Sequence, residues 1–270
     1  ANWSDIIIAT LGEPAELSGE SSCRTNLEMP DAQHDLLQAL VKTGKPVVLL
    51  HFSGRPTVMN WEQKNVPAIM NVWFAGSETG DAICDVIFGD VSPSGKLTTT
   101  FPQTVGQLPM YYNHRNTSRP QDKDKWFEKF RSNYIDVTND PLYPFGYGLS
   151  YTTFDYSPMK LSANELNIKN DSLIASITIS NKGEYDADEI IQMYIRDIAG
   201  SITRPVQELK GFQRIHLKKG ESREITFTIT PELLKFYNND LGFVCEPGEF
   251  ELMIGPNSRD VERCKFILTE

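Results

Sequence analysis

The sequence lacks the features that mark several classes of protein. No apolar run among its 270 residues approaches the ~20 needed to cross a bilayer, so we predict no transmembrane helix and no membrane partner. Lysine and arginine number 26 against 36 aspartates and glutamates. The resulting charge of −10 argues against a nucleic-acid partner, because phosphate backbones need a basic face. The glycine patterns of nucleotide-binding loops are also absent, so Gly76, Gly80 and Gly95 are interpreted as turn residues.

Cysteine and histidine are scarce, with four of each, and neither has the spacing of a zinc site. We therefore predict no metal site, and His51 and His114 are interpreted as packing residues. Cys84 lies among apolar residues of a predicted helix and is expected to be a buried thiol. Cys245 and Cys264 flank a predicted hairpin and are candidates for a disulfide, so cysteine usage leaves the redox compartment open.

The first hundred residues alternate between strand and helix patterns, which indicates a mainly parallel sheet covered by helices. Residues 6–11 form an apolar run and are predicted to be a central strand, buried on both faces. Because the chain begins only a few residues before this strand, we expect it to be a fragment of a longer protein. The other predicted elements are strands at 47–52, 68–73 and 96–101, and helices that start at Pro30 and Thr79.

The pattern changes after Pro109. Residues 113–141 are polar and irregular, as expected for a long loop with a functional or linking role. From about Phe154 onward apolar residues alternate with polar ones, as in the runs 173–179, 225–229 and 250–254. This half is therefore predicted to be an antiparallel β-sandwich of the fibronectin type III-like kind.

Eight short segments carry a resemblance to a known family. Their order and spacing over nearly the whole chain, more than any one of them, make the sequence resemble the glycoside hydrolases of family 3, closest to the bacterial periplasmic β-glucosidase group. The segments are Leu11-Gly12-Glu13, Ser18–Pro30, Pro46–Pro56, Trp73–Gly80, Phe88–Leu97, Thr100-Phe101-Pro102, Leu108-Pro109 and Tyr143–Tyr151.

The resemblance implies a complete protein made of a TIM barrel, an α/β sandwich and a fibronectin type III-like domain. Residues 1–112 would be the C-terminal part of the α/β sandwich, 113–154 a connecting loop and linker, and 155–270 the fibronectin type III-like domain. The barrel, which carries the catalytic aspartate, would lie outside this chain. We expect an apolar patch where that barrel docks, which would favour self-association of the isolated chain. A periplasmic or secreted location is also implied.

The activity implied by the resemblance is that of a retaining β-glucosidase acting on terminal β-linked glucose or a related sugar. Such an enzyme needs two carboxyl groups about 5 Å apart, and no metal or organic cofactor. The family's acid/base glutamate lies in a Glu-x-x-x-Arg setting, which Glu20 and Arg24 match, so Glu20 is the predicted general acid/base. Taken without the resemblance, Glu20 is only one solvated acid among Glu13, Glu16 and Glu28.

Two further side chains are predicted to contact substrate. Glu13 directly follows the first strand, where ligand sites of α/β proteins gather, and would orient the loop or contact a sugar hydroxyl. Arg24 would hold Glu20, bind sugar or form a plain structural salt bridge. Trp73 and Phe74 end a strand, a position that favours packing over sugar stacking. The alternative function is a non-catalytic binding or scaffold module; under either hypothesis the isolated chain is expected to show little or no turnover.

Overall fold

The computed structural model describes residues 1, 3–122, 125–169 and 172–270. The chain divides into two compact units. The first contains residues 1–84, 100–110 and 139–143, and the second contains residues 85–99, 111–138 and 144–270. Residues 123 and 124 of the predicted long loop lie outside the described residues.

The first unit is built on a parallel three-stranded sheet of order β1-β2-β3. Apolar residues of β2 and of the first helix form its core, with Leu37, Val47 and Leu49 almost fully buried. The predicted parallel pairing is confirmed for these three strands. The elements are β1 (Ile7–Gly12), α1 (Asp31–Val41), β2 (Val47–Phe52), α2 (Asn60–Asn65), β3 (Ala68–Asn71) and α3 (Thr79–Phe88), the last of which runs across the division between the units.

The predicted fourth strand at 96–101 was wrong, because among the described residues this segment forms no strand. Its backbone bonds instead to the aromatic turn segment that follows the long loop. Leu97 N donates to Tyr147 O at 2.8 Å, and Phe101 N donates to Tyr143 O at 2.9 Å. A pairing with residues more than 40 positions later leaves no local signal that a period-two pattern could reveal.

Burial in the first unit is also lower than predicted. Ile8 on β1 and Ile6 just before the strand are 47% and 58% exposed, so the strand is not buried on both faces. Helix α3 has the predicted bounds but no buried residue, and Cys84 on it is exposed instead of buried. β1 lies at the edge of the sheet and pairs only with β2 among the described strands, so it is also not the central strand that was predicted.

The second unit contains the predicted β-sandwich. One sheet has the order β6-β14-β13-β8-β9 and the other the order β10-β7-β4, with β5 also paired to β7. All pairs are antiparallel except β6 with β14. The elements are β4 (Phe154–Tyr156), β5 (Lys160–Leu161), β6 (Glu165–Asn167), β7 (Leu173–Asn181), β8 (Ala187–Asp197), β9 (Glu208–Leu217), β10 (Ser222–Ile229), α4 (Pro231–Leu234), β11 (Phe236–Tyr237), β12 (Phe243–Val244), β13 (Gly248–Gly255) and β14 (Glu262–Thr269).

Alternating residues from both sheets form one apolar core, which includes Ile177, Ile191, Ile225 and Phe250. The period-two patterns of the sequence supply these positions, as expected for strands with one solvated face. The two cysteines proposed as a disulfide are free thiols. Cys245 and Cys264 each pack against this core, and burial raises the pKa of both thiols, that of Cys245 to about 11.

A buried ion pair joins residues 85–99 to the sandwich within the second unit. Lys96 Nζ lies 3.2 Å from Glu189 Oε1 on β8, and the Tyr156 hydroxyl donates to the same oxygen at 2.7 Å. The side chains of Lys96 and Glu189 are only 11% and 4% exposed. Because an unpaired charge is costly in such surroundings, this pair holds the segment before residue 100 against β8.

Candidate active-site loop

Residues 13–29 form the loop between β1 and α1, at the carboxyl edge of the parallel sheet. This is the edge where ligand sites of open α/β sheets gather. The loop leaves the sheet at Gly12, whose φ of 141° and close approach to β2 exclude other residues. A Cβ placed there would lie 1.8 Å from the carbonyl oxygen of Phe52. The loop then makes one 3-10 turn at Ala15–Leu17 before it reaches Glu20.

Glu13 is the anchor of this loop. Its side chain is fully buried and contacts two guanidinium groups, with Arg24 Nη1 at 2.5 Å from Oε1 and Arg55 Nε at 3.2 Å from Oε2. The Ser53 hydroxyl donates to Oε2 at 2.9 Å. Glu13 therefore ties the middle of its own loop to the loop that follows β2, where Arg55 also donates to Leu17 O.

The electrostatics of Glu13 keep it ionised. Burial by itself would raise the pKa of this carboxyl, but the hydrogen bonds from Arg24 and Ser53 and the charges of Arg55 and Arg24 outweigh it. The net result is a pKa below the usual range of a glutamate. A carboxylate held in this way is suited to position a loop and poorly suited to carry a proton at neutral pH.

Glu20, unlike Glu13, is neither buried nor held by ion pairs. Its side chain is exposed, as predicted, and within the described part of the chain it makes no hydrogen bond or ion pair. The backbone on both sides of it is unusual: Gly19 has a φ of 144° and Ser21 a φ of 60°, in the left-handed region. This bend presents the Glu20 carboxyl at the surface of the loop.

The structure brings Glu13 and Arg24 together, whereas Glu20 forms no hydrogen bond or ion pair with either. Arg24 pairs with Glu13, and its second nitrogen donates to Glu28 O at 3.3 Å. Of the alternatives for Arg24, the salt bridge is the one that the structure contains. The other two acids of the loop, Glu16 and Glu28, have exposed side chains.

Sequence reasoning missed Arg55 and Ser53 as members of this site. The signal that could have found them is their position directly after β2, as Glu13 directly follows β1. The parallel register pairs Gly12 with Phe52, so the residues that follow the two strands meet at one edge. A sequence separation of 42 residues between Glu13 and Arg55 hid this contact.

His51 and Trp73 are packing residues, as predicted. His51 is buried on β2, with Nδ1 2.9 Å from Asn71 Oδ1 and Nε2 3.3 Å from Thr57 Oγ1. Burial lowers its pKa. Trp73 packs against Phe101 at a centroid distance of 5.8 Å, whereas Phe74 is 48% exposed. No group of three potential metal-ligating side chains occurs among the described residues.

Comparison with known proteins places the chain in a family. The family model "Glycosyl hydrolase family 3 C-terminal domain" matches residues 1–151, and the model "Fibronectin type III-like domain" matches residues 189–258. The chain belongs to glycosyl hydrolase family 3. The resemblance found in the sequence and the predicted fold class are thereby confirmed.

Relatives of this family 3 chain are glycosidases by name. A "Periplasmic beta-glucosidase" of Salmonella typhimurium is 45% identical over 99% of this chain and 35% of the relative, and a "Beta-xylosidase" of Formosa agariphila is 39% identical over 96% and 35%. A solved structure of a β-glucosidase from Listeria innocua in complex with gluconolactone superposes with a TM-score of 0.93 at 39% identity, covering 98% of this chain and 37% of that one.

The chain matches only part of each of these relatives. The family 3 chain spans only about a third of the length of these relatives, with 35% of the Salmonella protein matched. The names of the relatives include both β-glucosidase and β-xylosidase, so membership does not choose the sugar. In the described part of the chain, no helix combines the length and apolar character needed to cross a membrane.

Proposed function

We propose that this chain supplies the general acid/base, Glu20, to a retaining β-glucosidase that removes terminal β-linked glucose or a related sugar. The nucleophile is an aspartate on an N-terminal TIM barrel that this chain does not contain. The observation that supports the proposal is the contrast at the loop. Glu13 is buried and bound by Arg24, Arg55 and Ser53, whereas Glu20 is exposed and free of partners among the described residues.

In the first step the aspartate attacks the anomeric carbon, and Glu20 donates its proton to the leaving oxygen. In the second step Glu20 takes a proton from the water that displaces the aspartate, which returns the enzyme to its starting state with net retention. A carboxyl with no intramolecular partner is able to approach both oxygens in turn. Glu13 and Arg55 hold the loop in place, and Arg24 supports the turn that carries Glu20.

The first test uses the isolated chain. It should hydrolyse aryl β-glucosides far more slowly than a complete β-glucosidase, because the nucleophile is absent and a general acid alone contributes only ~10²–10⁴-fold. A saturable turnover that Glu20→Ala abolishes would contradict the assignment of the nucleophile to another part of the protein. Both the enzyme hypothesis and the scaffold hypothesis predict this result for the isolated chain. A second experiment, with a chimeric enzyme, separates them.

The second test uses a chimera in which this chain replaces the matching C-terminal region of the Salmonella typhimurium periplasmic β-glucosidase, with which it is 45% identical. Glu20→Ala should slow substrates with poor leaving groups by ~10²–10⁴-fold and leave glycosylation by activated aryl glucosides largely unchanged. Azide should restore turnover with retention, because a small anion needs no general base.

Glu16→Ala is the matched control, since Glu16 is an exposed acid of the same loop. It should leave the rates unchanged. If Glu13→Ala shows the azide-rescued pattern and Glu20→Ala does not, the acid/base is Glu13. If the chimera is inactive with every substrate although it is folded, the scaffold hypothesis is favoured.

The remaining parts of the proposal follow the family. The substrate is a neutral carbohydrate, and the other domain of the enzyme is the barrel, which would cover the apolar surfaces of β1 and α3. The periplasmic name of the Salmonella relative supports a periplasmic or secreted location. We retain residues 1–112, 113–154 and 155–270 as the proposed domain division.

A further inference from the structure

A short hairpin in the second unit presents two aromatic side chains to solvent. Tyr237 on β11 and Phe243 on β12 face each other across the hairpin, with ring centroids 4.9 Å apart. They are 64% and 47% exposed, although they lie beside the well-packed sandwich. Large exposed rings are costly for a folded protein and commonly mark a place where something binds.

The hairpin is held rigidly. Phe236, between the exposed rings and α4, is buried, and the guanidinium of Arg204 lies over its ring at 4.1 Å from the centroid. At the tip, Asn238 Oδ1 accepts hydrogen bonds from Asp240 N at 3.0 Å and from Gly242 N at 2.9 Å. The backbone that carries the exposed rings is therefore fixed at both its base and its tip, which lowers the entropic cost of binding.

A groove of about 530 Å³ runs beside the Phe243 ring. This volume lies within the range of small-molecule sites, about 300–1,000 Å³. Its polar lining includes Thr230, Lys169 and the pair Lys235–Glu232, in which Nζ and Oε2 are 2.6 Å apart. Lys235 Nζ is also 5.7 Å from the centroid of the Phe243 ring. The groove thus places hydrogen-bond donors, such as Lys235, and an acceptor, Glu232, near the ring of Phe243.

This combination matches the chemistry of a sugar ring. A pyranose has an apolar C–H face that packs on an aromatic ring and a rim of hydroxyls that need both donors and acceptors. Lys235 and Glu232 neutralise each other, which leaves a single net positive charge, that of Lys169, in the lining of the groove.

We propose that the groove beside Phe243, with the Tyr237 ring that extends its aromatic surface at 4.9 Å, is a non-catalytic binding site for a neutral oligosaccharide. The choice of ligand class rests on the proposed function, whereas the existence of the site rests on the hairpin and the groove. The site would hold a glycan chain on the fibronectin type III-like unit, while Glu20 belongs to the first unit. Its use would be to retain a longer substrate near the enzyme between successive cleavages.

The test measures binding of cellotetraose and laminaritetraose to the full 270-residue chain by saturation-transfer NMR and calorimetry, at sugar concentrations up to about 10 mM. We expect measurable binding, and we expect Tyr237→Ala and Phe243→Ala each to weaken it roughly twofold to tenfold, as loss of one aromatic contact predicts. Tyr237→Phe should retain most of the affinity, because the stacking face remains. Far-UV circular dichroism of each variant checks that the fold is intact.

Phe212→Ala is the control, since Phe212 is 65% exposed on β9 of the same unit. The proposal is overturned if neither sugar binds, if Tyr237→Ala and Phe243→Ala bind as tightly as wild type, or if Phe212→Ala weakens binding equally. It is also overturned if Tyr237→Ala abolishes a dimer of the chain, which would make the hairpin an interface between copies. Glu20→Ala should bind normally, so a failure of the proposed acid/base role in the chimera would leave this result unaffected.

Discussion

Replacement of Glu13 by glutamine should destabilise the first unit strongly. Glutamine has nearly the same shape and retains an acceptor for the Ser53 hydroxyl, so the change removes the charge and little else. Two charge-assisted contacts are lost, to Arg24 and Arg55, each worth about 1.5 kcal/mol or more. Both guanidiniums remain 18–19% exposed, and water will relieve part of the cost. We therefore expect a loss of about 3 kcal/mol in the free energy of unfolding of this unit.

Tryptophan fluorescence gives an assay for this unit. Trp3, Trp61 and Trp73 belong to the first unit, and Trp126 belongs to the second. The emission change in urea therefore reports mainly on Trp61 and Trp73, since Trp3 is fully exposed and Trp126 is 56% exposed in the folded chain. A loss of about 3 kcal/mol should lower the thermal midpoint by on the order of 10 °C.

Glu20→Gln is the matched control for Glu13→Gln. The same chemical change at an exposed and unpartnered glutamate should alter stability by no more than about 0.5 kcal/mol. Equal urea midpoints for Glu13→Gln and wild type would refute the assignment of Glu13 as the anchor of the loop. A loss at Glu20 as large as that at Glu13 would refute the contrast on which the proposed function depends.

Three further predictions concern charge and exposed surface. Because burial lowers the pKa of His51, the unfolded chain binds a proton near pH 6.5 that the folded chain does not. The free energy of unfolding should therefore be highest above that pH and should fall below it by up to about 1.4 kcal/mol per pH unit. Urea midpoints of wild type and His51→Gln at several pH values measure this slope, and an identical slope in the variant would contradict the prediction. Lys96→Met leaves Glu189 buried without its cation and should lower the free energy of unfolding of the second unit by about 3 kcal/mol, measured by thermal unfolding. Lys265→Met, at an exposed ion pair, is the control and should change stability little. Similar losses for both variants would contradict the role of the buried pair. The open apolar side of β1 should make the isolated chain associate at high concentration, and sedimentation velocity should show Ile8→Thr to be more monomeric than wild type.

Local patterns in the sequence were sufficient for most of the architecture. The apolar run of β2 and the helical spacing of α3 predicted both elements with the bounds that the structure has, Val47–Phe52 and Thr79–Phe88. Period-two alternation predicted the strands that supply Ile177, Ile225 and Phe250 to the core of the sandwich. These patterns succeed because side chains repeat with the geometry of the element itself, every 3.6 residues in a helix and every second residue in a strand.

The contacts of the candidate site were harder to predict from the sequence than the fold was. The order of motifs along the chain led to Glu20 as the predicted acid/base. Its expected exposure is confirmed, whereas its role stays a prediction. The roles of Glu13 and Arg24 could not be read in this way. Sequence reasoning treated both as possible contacts of a sugar, and the structure contains them as a buried ion pair completed by Arg55 and Ser53.

By itself, then, the sequence determined the family and the parallel and antiparallel halves, and it supplied the prediction that Glu20 is the acid/base. Only the tertiary structure decided which acid of the loop is buried, that residues 96–101 bond to residues 143–147 in place of a sheet, and that Cys245 and Cys264 stay unpaired. Each of these outcomes depends on contacts between residues that are far apart in the chain. Such contacts form after strands have paired, so the register of β1 against β2, and no local pattern, brings Arg55 to Glu13.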